Sequence, residues 1–61
     1  MSTNNYIFID RDLSVWSRDA ESEDNGCFLQ SFSDLGSAIK YAQNQGAEYG
    51  YHVHPDLLTN N

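Results

Sequence analysis

Residues 33–46 read Ser-Asp-Leu-Gly-Ser-Ala-Ile-Lys-Tyr-Ala-Gln-Asn-Gln-Gly, and this stretch decides the fold. Leu35, Ala38, Ile39 and Ala42 recur at the spacing that puts them on one narrow side of an α-helix. Ser33 or Asp34 caps the first turn by accepting a hydrogen bond from an otherwise orphan backbone N–H. Gly46, after Asn44-Gln45, stops the helix. Two of the four apolar residues are alanines, so the helix can lie close to a sheet.

Outward from this helix the chain reads as strands. Tyr-Ile-Phe-Ile-Asp at 6–10 is aromatic and β-branched, and is expected to be a strand buried on both faces or nearly so. Asp10-Arg11-Asp12 makes a polar turn, and Leu13–Ser17 returns as the second arm of a hairpin. There Leu13 and Val15 share one face and Trp16 points from the other. Arg18–Gly26 has no large apolar residue and reads as a solvated loop ending in the Asn25-Gly26 turn signal. Cys27–Phe32 is a third strand whose alternation is imperfect, because Phe28 and Phe32 share a face with Gln30. A last strand runs from Tyr49 to Val53 or His54, with Tyr49, Tyr51 and Val53 on one face and Gly50, His52 and His54 on the other; Pro55 ends it.

The order β-β-β-α-β defines an α+β fold, a small mixed or antiparallel sheet with one helix packed on one face. The helix returns the chain, so the last strand runs parallel to the third and pairs with the first, in the order 3-2-1-4. Residues 1–61 form a single small domain with an ordered core of about 5–57 and frayed termini. One short helix covers one face of such a sheet. Trp16, the tyrosines and the two histidines do not all fit beneath it, and an exposed aromatic surface follows.

Nine Asp and Glu against three Lys and Arg give a formal charge of −6. Arg11, Arg18 and Lys40 are too few and too scattered for direct binding to a nucleic-acid backbone or an anionic membrane. No apolar run is long enough to span a bilayer, and Met1–Asn5 lacks the regions of a signal peptide. The lone Cys27 forms no internal disulfide and reads as a partly buried small hydrophobe in a cytoplasmic protein.

No enzyme is expected, since no nucleophile elbow, phosphate loop or dinucleotide fingerprint is present, and no cofactor is implied. Asp10 and Asp12 read as a charged turn rather than a cation site. His52 and His54, two apart on a strand, project the same way, a spacing that suits a shared metal with a third ligand from Asp56 or from another strand. The preferred reading is two hydrogen-bonded or solvated histidines on an outer face.

The remaining feature is the acidic run of Asp19, Glu21, Glu23 and Asp24, with Asp10 and Asp12 expected near it. It reads either as a solubilising surface or as a negative surface complementary to a basic groove on a protein partner. Trp16 and Tyr51 are the expected anchors of that interface. The function expected is therefore a small acidic inhibitor or modulator that docks on a basic, nucleic-acid-binding surface as a nucleic-acid mimic, in the manner of phage inhibitors of host nucleic-acid enzymes. The alternatives are a structural homo-oligomer (a homodimer in its simplest form) and a minor metal-binding protein using His52 and His54. Ser33-Asp34-Leu35-x-x-Ala38-x-x-x-Ala42, with Gly50-Tyr51-x-Val53-x-Pro55, resembles part of the small RNA polymerase inhibitors of phages. Phe32–Gly46 equally resembles a segment of an accessory-subunit family of respiratory NADH dehydrogenase. No functional residue is carried over from either.

Overall fold

The computed structural model describes residues 4–21 and 26–58. Strand β1 (Asn5–Ile9), β2 (Ser14–Asp19) and β3 (Cys27–Ser31) precede helix α1 (Leu35–Gln43), β4 (Tyr51–Val53) and a single turn of helix, α2 (Pro55–Leu58). The expected frayed ends, Glu23, Asp24 and Asn25 lie outside the described residues. The sheet is mixed and runs β3-β2-β1-β4. β1 pairs antiparallel with β2 and parallel with β4, which is what a helical return connection permits.

Alternation along β1 sets the two faces. Ile7 and Ile9 are buried under α1, whereas Tyr6 and Phe8 point the other way and stay half-exposed. The strand is thus buried on one face only, because α1 has no counterpart on the opposite side. Val15 joins Ile7 and Ile9, and Ala38 and Ala42 of α1 pack onto them. Leu29, Phe32, Leu35, Ile39, Tyr51, Val53 and Leu57 close the rim of this core.

α1 begins where its sequence says it should. The Asp34 carboxylate accepts the Ser37 backbone N–H at 2.9 Å and the Ser37 hydroxyl at 3.1 Å. Asn44 ends the helix and Gly46, at φ 65°, turns the chain away.

Three local expectations are overturned, and one short element, α2, was not expected. Arg18 and Asp19 belong to β2 rather than to a loop, since β1 offers them ladder partners in Tyr6 and Asn5. Leu13 lies outside β2 at φ 66°, closing the hairpin turn in a left-handed conformation. Its N–H donates to the Asp10 carbonyl at 2.9 Å, and its own carbonyl accepts the Phe32 N–H at 3.0 Å. Pro55 ends β4 but also starts α2, where its missing N–H costs nothing. Cys27 is exposed rather than partly buried, because it stands at the start of β3, the edge strand of the sheet.

The imperfect alternation of β3 has a defined cause. Trp16 pairs with Phe28 and Val15 with Gln30, so Leu29 is an extra residue, a bulge in the edge strand. The bulge shifts the side-chain phase. Phe28 stands beside Trp16 on the sheet's outer face, while Phe32, just past the strand, packs against Tyr41 of α1 at 5.2 Å between ring centroids. The two phenylalanines do not share a face. The bulge also twists an edge that would otherwise offer a flat row of unpaired backbone groups.

Candidate functional site: the aromatic face of the sheet

The sheet face opposite α1 is built by register. Phe28, Trp16, Phe8 and His52 are successive pairing partners, so each strand contributes one aromatic side chain to a single row across the sheet. Trp16 and Phe28 meet edge to face at 5.5 Å between centroids. His54 meets Phe8 at 6.2 Å, and Tyr6 stands edge-on to His52 at 5.1 Å and 86°. The guanidinium of Arg18 lies over the Phe8 ring, 4.2 Å from its centroid.

Over β1 the face hollows into an open groove of about 660 Å³, lined by Tyr6, Phe8, Arg18, Ala20, Tyr49 and His52. Its floor is Tyr6 and Phe8; its walls come from β2 on one side and from β4 and the turn before it on the other. Tyr49 lies before β4, in the turn closed by the Gly50 N–H donating to the Ala47 carbonyl. It is more than half exposed and belongs to the groove, not to the α1 face where strand alternation would have put it. At one end, the Tyr49 hydroxyl donates to the Asn4 side-chain carbonyl at 3.2 Å, and the Asn4 amide donates to the Glu21 carboxylate at 2.6 Å. The Glu21 carboxylate is thereby linked through Asn4 to Tyr49, a residue that lines the groove.

Trp16 is fixed by a short relay. Its indole N–H donates to the Ser14 hydroxyl at 2.8 Å, and that hydroxyl donates to the Asp12 carboxylate at 2.5 Å. The Ser14 backbone N–H reaches the same oxygen at 3.1 Å. The Ser14 hydroxyl first, and its backbone N–H second, hold the Asp12 carboxyl below its ordinary range.

Of the acidic run, Asp19 accepts the Glu21 backbone N–H at 2.9 Å and thus shapes the turn leaving β2; Glu23 and Asp24 lie outside the described residues. Asp10 and Asp12 do not join it. They sit at the opposite end of the β1–β2 hairpin, where Ile9 pairs with Val15, whereas Asn5 pairs with Asp19 at the other. Tyr51 packs against the core beneath α1, on the face away from Trp16, so these two expected anchors are not on one surface.

His52 and His54 both lie on the aromatic face, but their roles differ. His54 Nδ1 accepts the Asp56 backbone N–H at 3.0 Å, capping α2. The Asp56 carboxylate lies 3.9 Å from that nitrogen and 3.7 Å from Arg11. Among the described residues no group of three or more His, Cys, Asp or Glu side chains is placed to hold a metal ion. Nor is any helix among them long and apolar enough to cross a membrane.

Tyr6, Phe8, Phe28 and Tyr49 were not singled out as site residues by their spacing. The signal for the first two was there: Ile7 and Ile9 alternate with them, and one helix can cover only one of the two sets. No protein-family model matches this chain, and no curated protein or solved structure matches it either.

Proposed function

We propose that this chain is an acidic protein-binding module that docks on a basic surface of a partner protein. The observation that carries the reading is the row Phe28–Trp16–Phe8–His52, on the sheet face opposite α1, on a protein of net charge −6. Rigid aromatic side chains give large contact area at low entropic cost, and they dominate binding energy at interface centres. Carboxylates at the rim, Glu21 among them, add electrostatic steering and select a cationic partner. The favoured version is an inhibitor or modulator whose target surface otherwise binds nucleic acid, since such surfaces combine positive charge with exposed apolar groups.

The homo-oligomer reading rests on the same uncovered face. Charge weighs against it, because two copies bring −6 to −6.

The test is capture of a basic partner from host lysate by the tagged chain, by Phe28→Ser and by Leu58→Ser, each washed at rising salt. Both side chains are more than half exposed, so the fold tolerates either change. The expected result is a salt-released partner retained by Leu58→Ser and lost by Phe28→Ser. Equal retention by both variants overturns the aromatic face as the docking surface.

A further inference from the structure

Strand β4 passes into α2 through one imidazole. The His54 backbone N–H donates to the Ile9 carbonyl at 2.9 Å and so ends the pairing with β1. Beyond it, Nδ1 accepts the Asp56 N–H at 3.0 Å, and the His54 carbonyl accepts the Leu57 N–H at 2.9 Å. Pro55 has no N–H, so the Asp56 N–H is the first amide of α2 that needs a partner. Such a cap is usually an oxygen of Asn, Asp, Ser or Thr, which accepts throughout the neutral range. An imidazole does not. Nδ1 accepts only in the neutral ring that carries its proton on Nε2; in the protonated ring both nitrogens donate.

The groups around the ring set what protonation does. From α2 the Asp56 carboxylate stands 3.9 Å from Nδ1, and from the β1–β2 turn Arg11 reaches the same oxygen at 3.7 Å. Asp10, in that turn, accepts the Arg11 backbone N–H at 2.7 Å. β1 presents the Phe8 ring, 6.2 Å between centroids, with the Arg18 guanidinium over it, and His52 shares the face on β4. A protonated His54 thus meets the Asp56 carboxylate, which it shares with Arg11. Both Arg11 and Asp56 are more than half exposed, and an ion pair in such a place adds little. Loss of the cap is the larger effect, because it leaves the Asp56 N–H facing a second donor. α2 has little else to hold it: it is a single turn, with Leu57 on the rim of the core and Leu58 exposed. We infer that His54 is a pH-sensitive latch. Neutral, it holds α2 and Leu57 against the core; protonated, it exchanges the cap for the Asp56 carboxylate and lets them loosen.

Nuclear magnetic resonance on the full chain tests this, with ring-nitrogen shifts reporting His54 and amide hydrogen exchange reporting α2. At high pH the nitrogen shifts are expected to place the proton on Nε2. Between about pH 8 and about pH 5 the Asp56 amide resonance should move with the His54 midpoint. Over the same range the protection of the Leu57 amide, corrected for the intrinsic pH dependence of exchange, should fall about fivefold. His54→Asn, whose side-chain carbonyl accepts at any of these pH values, should hold that protection constant, whereas His52→Gln should keep the wild-type response. Equal Leu57 protection on the two sides of the His54 titration overturns the latch, and so does a neutral ring with its proton on Nδ1. Both are read on the wild-type chain and need no variant to fold. An undiminished response in His54→Asn overturns it too, by assigning the pH dependence to another group.

Discussion

The guanidinium of Arg18 lies 4.2 Å from the centroid of the Phe8 ring, on the one sheet face that no helix covers. One of only three cations in the chain thus caps the middle of its aromatic surface. The contact joins sequence to surface through register, because Arg18 pairs with Tyr6 and Phe8 with Trp16, setting cation and ring on a diagonal of the hairpin.

Replacing Arg18 with Gln should remove both the cation–π attraction and part of the aliphatic cover over Phe8. The expected loss is about 1 kcal/mol in urea denaturation, with Arg18→Lys in between. An unchanged midpoint for Arg18→Gln would show that the stacking contributes no stability.

Acid should act through Asp12. Its carboxyl is held below the ordinary value of 3.8 by the Ser14 hydroxyl and N–H. A carboxylate more acidic when folded than when unfolded contributes stability above its unfolded pKa. That contribution is lost as pH falls through the folded value. The relay to Trp16 makes the loss visible as a change in indole fluorescence below pH of about 4. Ser14→Ala removes the hydroxyl but keeps the backbone N–H, so it should move the Asp12 carboxyl only part of the way back toward its ordinary range in a carboxyl NMR titration. An identical Asp12 midpoint in both proteins would sink the relay.

Leu13 occupies a left-handed conformation that Gly and Asn adopt far more readily. Its conformation is held by hydrogen bonds to Asp10 and from Phe32, so a substitution is expected to keep the turn. Leu13→Asn should stabilise the chain by about 0.5 kcal/mol, read as a higher melting temperature. A lower one would mean that burial of the half-exposed leucine outweighs the strain.

At Gly26, φ is 84° and an added Cβ would fall on the Ser17 carbonyl oxygen, a backbone atom that cannot rotate aside. Gly26→Ala should therefore cost about 2 kcal/mol or more by chemical denaturation. A wild-type midpoint would mean that the start of β3 moves freely away from β2.

The helix was legible because its evidence is local. Asp34, the spacing of Leu35, Ala38, Ile39 and Ala42, and Gly46 each act within a turn or two of chain, and the structure uses all of them. The parallel place of β4 beside β1 followed from the return connection. α2 was missed because Pro55 carries two meanings, an end to a strand and a favourable first residue of a helix. The His54 side chain that caps α2 becomes visible only once the chain turns.

The aromatic site was legible in outline and not in membership. Composition required that some aromatic residues remain outside the core, but which ones depended on register. An extra residue at Leu29 reverses the phase of β3 and sends Phe28 outward and Phe32 inward; a turn at Gly50 puts Tyr49 on the groove side and Tyr51 beneath α1. In a strand each one-residue change of phase exchanges the faces completely. The sequence by itself therefore determined the main elements, the helix-covered core and the existence of an aromatic sheet face outside that core, because these follow from local spacing and from how much one helix can bury. Only the tertiary structure decided which side chains form that face, because pairing between distant strands sets the phase of each.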